Sequence, residues 1–244
     1  MKASSEVVKQ LAPTGVLRAG VCTGNFLLVV GKTDDGEPVG PSPSIAAAIA
    51  DALGVPLKLV PFRTPSEISD SAGQGVWDIG NIGAEPQRAA VMDFTAAYVE
   101  IEATYLVPAG STIQSVDEVD REGNRISVGA GSAYALWLEN NIKHAEPKPV
   151  PFDKAVSQFV DEKMEALASL RSHLVSVSKD LPGTRILDGK FSSVQQAVGV
   201  NKGNEAAAVW LKEFVENAKA SGMVEGFIEQ HGVQGKLTVA PQAS

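Results

Sequence analysis

Residues 76–98 read VWDIGNIGAEPQRAAVMDFTAAY, and the order of patterns within this stretch decides the fold. Residues 76–82 form a short, largely apolar run, which predicts a strand. Residues 85–91 have a proline near their start and predict a helical turn. The β-rich run 98–107 follows directly and begins a second unit near Val99. Strand, helical turn and strand in such close succession are typical of an α/β protein.

The flanking sequence continues this alternation. Upstream we expect strands at 16–21 and 56–61, a turn at 34–37, a helix that Ser44 opens and Gly54 ends, and a short helix at 65–73. Downstream we expect strands at 125–128, 166–170 and 195–200, and helices at 116–119, 132–141, 152–160, 205–221 and 223–231. The pattern predicts two α/β units with mainly parallel sheets, joined by two crossovers.

The composition limits the classes of function. Of the 244 residues, 44% are hydrophobic and 20% are charged, which predicts a packed core in a chain long enough for two lobes of about 100 residues each. The formal net charge of −8 argues against nucleic acid as a partner, because phosphate binding needs a basic surface. Cys22 is the only cysteine and the three histidines show no metal-ligand spacing, so we expect neither a metal nor a cofactor.

The first residues bear on localisation. Residues 1–11, MKASSEVVKQL, contain no apolar run typical of a signal peptide, and no stretch of about 20 apolar residues occurs in the chain. Either a signal peptide has been removed or the protein stays inside the cell, and both alternatives stay open at this stage.

Four segments in this order resemble one family. They are residues 14–20 (TGVLRAG) with the helix that follows, residues 77–98, residues 125–132 (RISVGAGS), and residues 199–204 (GVNKGN) with the long helix after them. Together they resemble the solute-binding proteins of ABC importers that take up polar amino acids. The resemblance covers nearly the whole chain.

The resemblance implies a type II periplasmic-binding-protein fold. Its lobe 1 would be residues 1–99 with 197–244, its lobe 2 residues 102–190, and its hinges would lie near 99–102 and 190–197. A small carboxylate-bearing solute, an amino acid or a related organic acid, would bind in the cleft between the lobes without being changed. The same resemblance implies a periplasmic monomer that delivers its solute to the membrane subunits of an ABC importer.

Two residues are the main candidates for holding the solute carboxylate. Arg88, in the sequence Pro-Gln-Arg, resembles the family arginine that binds this group, because a planar guanidinium donates two parallel hydrogen bonds to a carboxylate. Ser132 follows glycines at a strand-to-helix junction, where helix N–H groups attract anions, and it resembles the family contact from lobe 2. Without the family context, Arg88 would be a surface arginine and Ser132 an ordinary helix cap.

Further candidates surround these two. The resemblance places Asn81, Gly83 and Ala84 where the family lines the cleft, in a stretch that is about two residues shorter here. Glu85 would either bind an ammonium group or lie in solvent. The remaining candidates are residues that the resemblance places at the cleft: Asn25, Phe26, Gly131 and Tyr134. Cys22, Trp77 and Trp137 are expected in the core.

Leu170 departs from the family in a way that concerns the ligand. It occupies the position where amino-acid binders usually have an aspartate for the α-amino group of the solute. Leucine cannot neutralise a buried ammonium, and leaving that charge unpaired costs several kcal/mol. Either the ligand lacks an α-amino group, which would make ordinary amino acids weak ligands, or another acid binds it. Glu85 and Glu100 are the available acids.

Two other functions remain open. A dehydratase-like lyase on the same fold would need a general acid or base, for which only Glu85 and His173 are available. A sensor or orphan binding protein would bind its solute without an importer.

Overall fold

The computed structural model describes residues 2–243, which form two compact α/β units. Unit 1 consists of Met1–Glu100 with Gln195–Ser244, and unit 2 of Ile101–Val194. The chain passes between them twice, in the strands β7 (Val99–Pro108) and β12 (Ser192–Asn201). The lobe boundaries and hinge segments expected from the sequence stay predictions.

Within the described residues, unit 1 contains five helices, strands of the large sheet, and a separate two-stranded sheet of Gly31–Lys32 and Pro38–Val39. In chain order its elements besides β7 and β12 are α1 (Ser5–Leu11), β1 (Leu17–Cys22), β2 (Gly31–Lys32), β3 (Pro38–Val39), α2 (Pro41–Leu53), β4 (Leu57–Phe62), α3 (Pro65–Asp70), β5 (Ile79–Gly83), a 3₁₀ turn (Arg88–Ala90), β6 (Met92–Phe94), α7 (Glu205–Ala220), α8 (Met223–Gln230) and β13 (Thr238–Val239).

The sheet of unit 1 has the strand order β4-β1-β5-β12. β1 runs parallel to β4 and β5, and β12 runs antiparallel to β5. Arg18 on β1 fixes this register, because its Nε and Nη2 donate to the Asp78 carboxylate at 2.9 and 2.6 Å just before β5 begins. Trp77 is 1% exposed and its Nε1 donates to Ile68 O at 3.1 Å, which confirms Trp77 as a core residue.

Unit 2 has a separate core. Besides the crossing strands its elements are a 3₁₀ turn (Val116–Glu118), β8 (Arg125–Gly129), α4 (Ala133–Asn141), β9 (Glu146–Val150), a 3₁₀ turn (Phe152–Lys154), α5 (Ala155–Asp161), β10 (Ala166–Leu170), α6 (Arg171–Asp180) and β11 (Thr184–Ile186). Its strand order is β7-β10-β8-β9, with β10, β8 and β9 parallel. Phe159 on α5, Leu167 on β10 and Leu174 on α6 are buried together in one cluster.

The predicted alternation of strands and helices is confirmed, and so is the α/β class. The opening of α2 was predicted wrongly: the helix begins at Pro41 with Gly40 as its cap, three residues before Ser44. Prolines fit the first helical turn, where N–H groups have no intrahelical acceptor. Trp137 is only half-buried and packs on Phe191, with ring centroids 5.1 Å apart.

Candidate functional site

The end of β5 brings a half-buried acid and a buried arginine together in unit 1. After Gly83 the chain leaves the sheet and turns into the 3₁₀ segment that starts at Arg88. Arg88 is 3% exposed, and its Nη1 donates to Gly83 O and to Glu85 Oε2, both at 2.9 Å. The backbone supports this turn, because Arg88 N donates to Glu85 O at 3.0 Å. Neither side chain therefore lies in bulk solvent.

Burial dominates the electrostatics of this pair. It lowers the pKa of Arg88, with Glu85 opposing the change. Burial also raises the pKa of Glu85, and the Arg88 guanidinium opposes that change. Taking both charges out of water is costly, and their mutual attraction offsets part of the cost. Ionisable groups with perturbed pKa values are enriched at functional sites.

The other unit 1 candidates on β5, or directly after it, have different environments. Gly83 contributes its carbonyl to Arg88, as described. Ala84 donates its N–H to Gln195 O at 2.9 Å, so this group is used within unit 1. Asn81 is 1% exposed, and neither Nδ2 nor Oδ1 has a hydrogen-bond partner among the residues that the structure describes.

The loop after β1 carries the remaining unit 1 candidates. Asn25 accepts a hydrogen bond from Leu27 N at 3.2 Å, which stabilises the turn that follows. Phe26 is 45% exposed, an unusual position for a large aromatic side chain. Cys22 is buried, and burial raises the pKa of its thiol, so it is a small core residue, as expected.

In unit 2 the candidate residues lie where β8 gives way to α4. Gly131 has a φ of 69°, a left-handed conformation that glycine adopts without strain. Ser132 then caps α4: its Oγ accepts from Ala135 N at 3.1 Å and donates to Gly129 O at 2.7 Å. The hydroxyl hydrogen is thus used inside unit 2, and the ordinary cap role of Ser132 is confirmed.

Tyr134, in the first turn of α4, lies close to two uncharged polar side chains of unit 2. Its hydroxyl lies 3.4 Å from Ser169 Oγ, and that oxygen lies 3.0 Å from His173 Nδ1. Burial lowers the pKa of His173, which keeps the imidazole neutral near pH 7. Sequence reasoning missed Ser169. The only available signal was its spacing of four residues from His173 at the start of α6.

Leu170 offers no charge to an ammonium group in unit 2. Leu170 is 9% exposed and occupies the cap position of α6 without a side-chain hydrogen bond. Of the two substitute acids, Glu100 accepts from Gln195 Nε2 at 3.0 Å, and Glu85 accepts from Arg88. Glu85 is therefore the acid that lies beside the proposed carboxylate-binding residue.

Other kinds of site find little support within residues 2–243. No group of three or more His, Cys, Asp or Glu side chains there could hold a metal ion. No helix in the same residues has the length and apolar character needed to cross a membrane. A groove of about 260 Å³ in unit 2, between α4 and β9, contains none of the candidate residues.

Comparison with known proteins identifies the family. Residues 17–234 match the family model of bacterial extracellular solute-binding proteins, family 3. The chain belongs to this family. That match covers most of the chain, and it confirms the resemblance read from the four sequence segments.

Individual relatives agree with the family assignment. The L-cystine-binding protein TcyJ of Escherichia coli K12 is 23% identical over 238 residues, which is 91% of this chain and 88% of TcyJ. A binding component of an ABC transporter from Wolinella succinogenes, solved in complex with lysine, superposes with a TM-score of 0.73 at 22% identity and covers 91% of this chain and 98% of its own.

A second solved structure has the same fold. The ancestral amino acid-binding protein AncCDT-1, a precursor of cyclohexadienyl dehydratase, has a TM-score of 0.71 at 20% identity and covers 91% of this chain and 98% of its own. At such low identity these structures establish the fold alone, and they confirm the type II periplasmic-binding-protein class.

Proposed function

We propose that this member of the family binds an amino acid or a close derivative and delivers it, chemically unchanged, to the membrane subunits of an ABC importer. Family 3 comprises extracellular solute-binding proteins, and the relatives described above are named for, or solved with, amino acids. We propose accordingly that the protein acts outside the cytoplasmic membrane, in the periplasm of a cell that has one.

The observation that carries this proposal is the buried guanidinium of Arg88. An arginine that is 3% exposed needs anionic or carbonyl acceptors, and Glu85 and Gly83 supply two of them on Nη1. A guanidinium has five N–H donors in a planar fork that matches a carboxylate. The solute carboxylate would join or replace the acceptors already present.

Glu85 makes an amino acid a better candidate than a simple carboxylate. An α-amino acid carries an ammonium next to its carboxylate, and the Glu85–Arg88 pair presents the opposite charges side by side. Because position 170 is leucine, Glu85 would supply the negative charge that the family usually places there. This favours the second of the two alternatives left by the sequence, in which another acid binds the amino group.

In unit 2, we propose that the solute meets neutral hydrogen-bonding groups rather than charges. The first turn of α4 after Gly131 and the hydroxyl of Tyr134 are the groups concerned. Asn25 and Phe26 in unit 1 would then shape the remainder of the binding surface. The lyase alternative would need Glu85 or His173 as a proton donor. We propose binding without chemistry because the family is one of solute-binding proteins.

A thermal-shift screen tests the proposal. The wild-type protein is heated with each common L-amino acid, L-cystine, matching carboxylic acids that lack the amino group, and sugars as controls. We expect stabilisation by one group of amino acids, about 3 kcal/mol at 100 times the dissociation constant, with the ligand recovered unchanged by mass spectrometry. A response only to sugars, or a ligand recovered as a product, would contradict the proposal.

A further inference from the structure

Unit 1 contains a second group of polar side chains that the Glu85–Arg88 pair does not use. Ser42 lies in the first turn of α2, Asn81 on β5, Tyr98 directly before β7, and Gln196 on β12. Ser42, Asn81 and Tyr98 are each 1% exposed and Gln196 is 3% exposed. We call these four residues the polar cluster.

The sheet register brings three of these residues, Asn81, Gln196 and Tyr98, to neighbouring positions. Asn81 pairs with Val198 across the β5–β12 ladder, and Gln196 pairs with Gly83. Paired residues of a ladder point to the same face, so Asn81 and Gln196 are diagonal neighbours on one face of the sheet. Tyr98 joins them through its backbone N–H, which donates to Gln196 O at 2.8 Å.

The Tyr98 hydroxyl is the centre of the polar cluster. Burial raises its pKa to about 12, while the side chains of Ser42 and Gln196 act in the opposite direction and must lie close to it. Even so, neither Tyr98 OH nor Ser42 Oγ makes a hydrogen bond of acceptable geometry within the described chain, and both side-chain atoms of Asn81 are likewise without a partner there. Four polar side-chain atoms of the polar cluster, two of them on Asn81, thus lack a hydrogen-bond partner among the described residues.

Buried polar atoms in native proteins nearly always have a hydrogen-bond partner, from protein or from ordered water. The four residues carry no charge, and together they offer both donors and acceptors through two hydroxyls and two side-chain amides. An ion would need neighbouring charges of opposite sign. A water molecule, which donates and accepts, fits a neutral and mixed set of this kind.

We infer that the polar cluster binds at least one long-lived internal water molecule, which connects α2 and β5 to the two strands through which the chain leaves and re-enters unit 1. The water supplies the bonds missing from Asn81 and the Tyr98 hydroxyl. This site is independent of the Glu85–Arg88 pair and does not depend on the identity of the solute.

Oxygen-17 magnetic relaxation dispersion of the solute-free protein tests the inference, because it counts internal waters that exchange slowly. We expect the wild type to hold at least one more such water than Asn81→Leu, in which a side chain of similar volume cannot hydrogen-bond. Tyr98→Phe, a milder change, serves if Asn81→Leu does not fold. An unchanged count in the variant that folds overturns the inference, whatever its melting temperature.

The melting temperature of Tyr98→Phe provides a second test, because it should change in opposite directions for a hydrated and a dry Tyr98 hydroxyl. If water satisfies the Tyr98 hydroxyl, Tyr98→Phe removes a hydrogen bond, and the melting temperature falls by about 2–4 °C. If the hydroxyl is dry, the same change removes an unsatisfied polar group, and the melting temperature stays or rises, which overturns the inference. Ser127→Ala is the control: Ser127 Oγ already bonds Ala155 O and Gln158 Oε1 at 2.7 Å, so its loss destabilises in either case.

Discussion

The two units differ in the chemistry of their candidate residues. Unit 1 has an ionic pair of the buried Arg88 and the half-buried Glu85, whose members both have shifted pKa values. Unit 2 has only neutral groups at its candidate positions, where Ser132 is occupied as a helix cap and Tyr134 shares a cluster with Ser169 and His173. Under the proposed function, unit 1 would select the charges of the solute and unit 2 would contribute shape and hydrogen bonds.

Removal of the Arg88 guanidinium should cause the largest loss of affinity for the solute. Two charge-assisted hydrogen bonds contribute about 3–6 kcal/mol, so Arg88→Ala should weaken the best ligand of the screen by about 100-fold or more in calorimetry. Arg88→Lys keeps the charge opposite Glu85 but loses the planar fork, and it should fall between the wild type and Arg88→Ala.

The matched control for Arg88 is Arg18, another ion-paired arginine of unit 1. Its guanidinium bonds the Asp78 carboxylate and serves the sheet. Arg18→Ala should lower the melting temperature while leaving the dissociation constant within about threefold. Equal losses of affinity in Arg18→Ala and Arg88→Ala would mean that Arg88 acts only through the fold.

Glu85→Gln should have the next largest effect, and a selective one. The variant keeps the size of the side chain and removes the charge that would bind an ammonium. We expect about a tenfold loss of affinity for the amino acid and a smaller loss, or a gain, for the same molecule without its amino group. Equal changes in affinity for both ligands would show that Glu85 does not recognise the amino group.

Acid titration provides a check on the same residue. Because burial raises the pKa of Glu85 above the ordinary glutamate value, lowering the pH through that raised pKa protonates the carboxylate, and wild-type affinity for the amino acid should decline as the pH falls over this range. The free energy of unfolding of the solute-free protein should change with pH in the opposite direction. A pKa that is raised in the folded state contributes stability at low pH, and this contribution is lost as the pH rises through that pKa. Glu85→Gln should lose both dependences, and a wild-type affinity that is flat over this range would contradict the role.

The smallest effect on binding is expected in unit 2. Ser132→Ala removes the cap of α4 and should cost about 1 kcal/mol of stability, seen as a melting temperature lower by about 2–4 °C. Affinity should change by less than about fivefold, since the Ser132 hydroxyl hydrogen is already donated to Gly129 O. Ser132→Thr keeps the hydroxyl and should restore stability. If Ser132→Ala lost as much affinity as Arg88→Ala, the proposed difference between the two units in solute binding would be wrong.

The sequence predicted most of the fold because the deciding patterns are local. Gly54 and Gly222 mark helix boundaries, and the apolar stripe of α7 is visible in the sequence. The helices α1 and α6 and the strand β9 were missed. In β9, EPKPV contains two prolines, which usually argue against a strand, but within residues 2–243 this strand lies at a sheet edge and pairs only with β8.

The site was harder to predict because its contacts depend on turns and not on periodicity. The sequence indicated Arg88 through a family motif, but it left Glu85 undecided between solvent and ligand. Only the 3₁₀ turn after β5 brings that carboxylate to 2.9 Å from Arg88. Ser169 and the unsatisfied amide of Asn81 likewise depend on how strands and helices pack, which no short window of sequence contains.

The most direct test of the central claim is a high-resolution crystal structure with the best amino acid of the screen bound. The account predicts that the solute carboxylate accepts hydrogen bonds from the Arg88 guanidinium and that its ammonium donates to the Glu85 carboxylate, at distances of about 2.7–3.0 Å. A bound amino acid whose two charges contact other residues, with the Arg88 guanidinium still donating to Glu85 and Gly83, would contradict it.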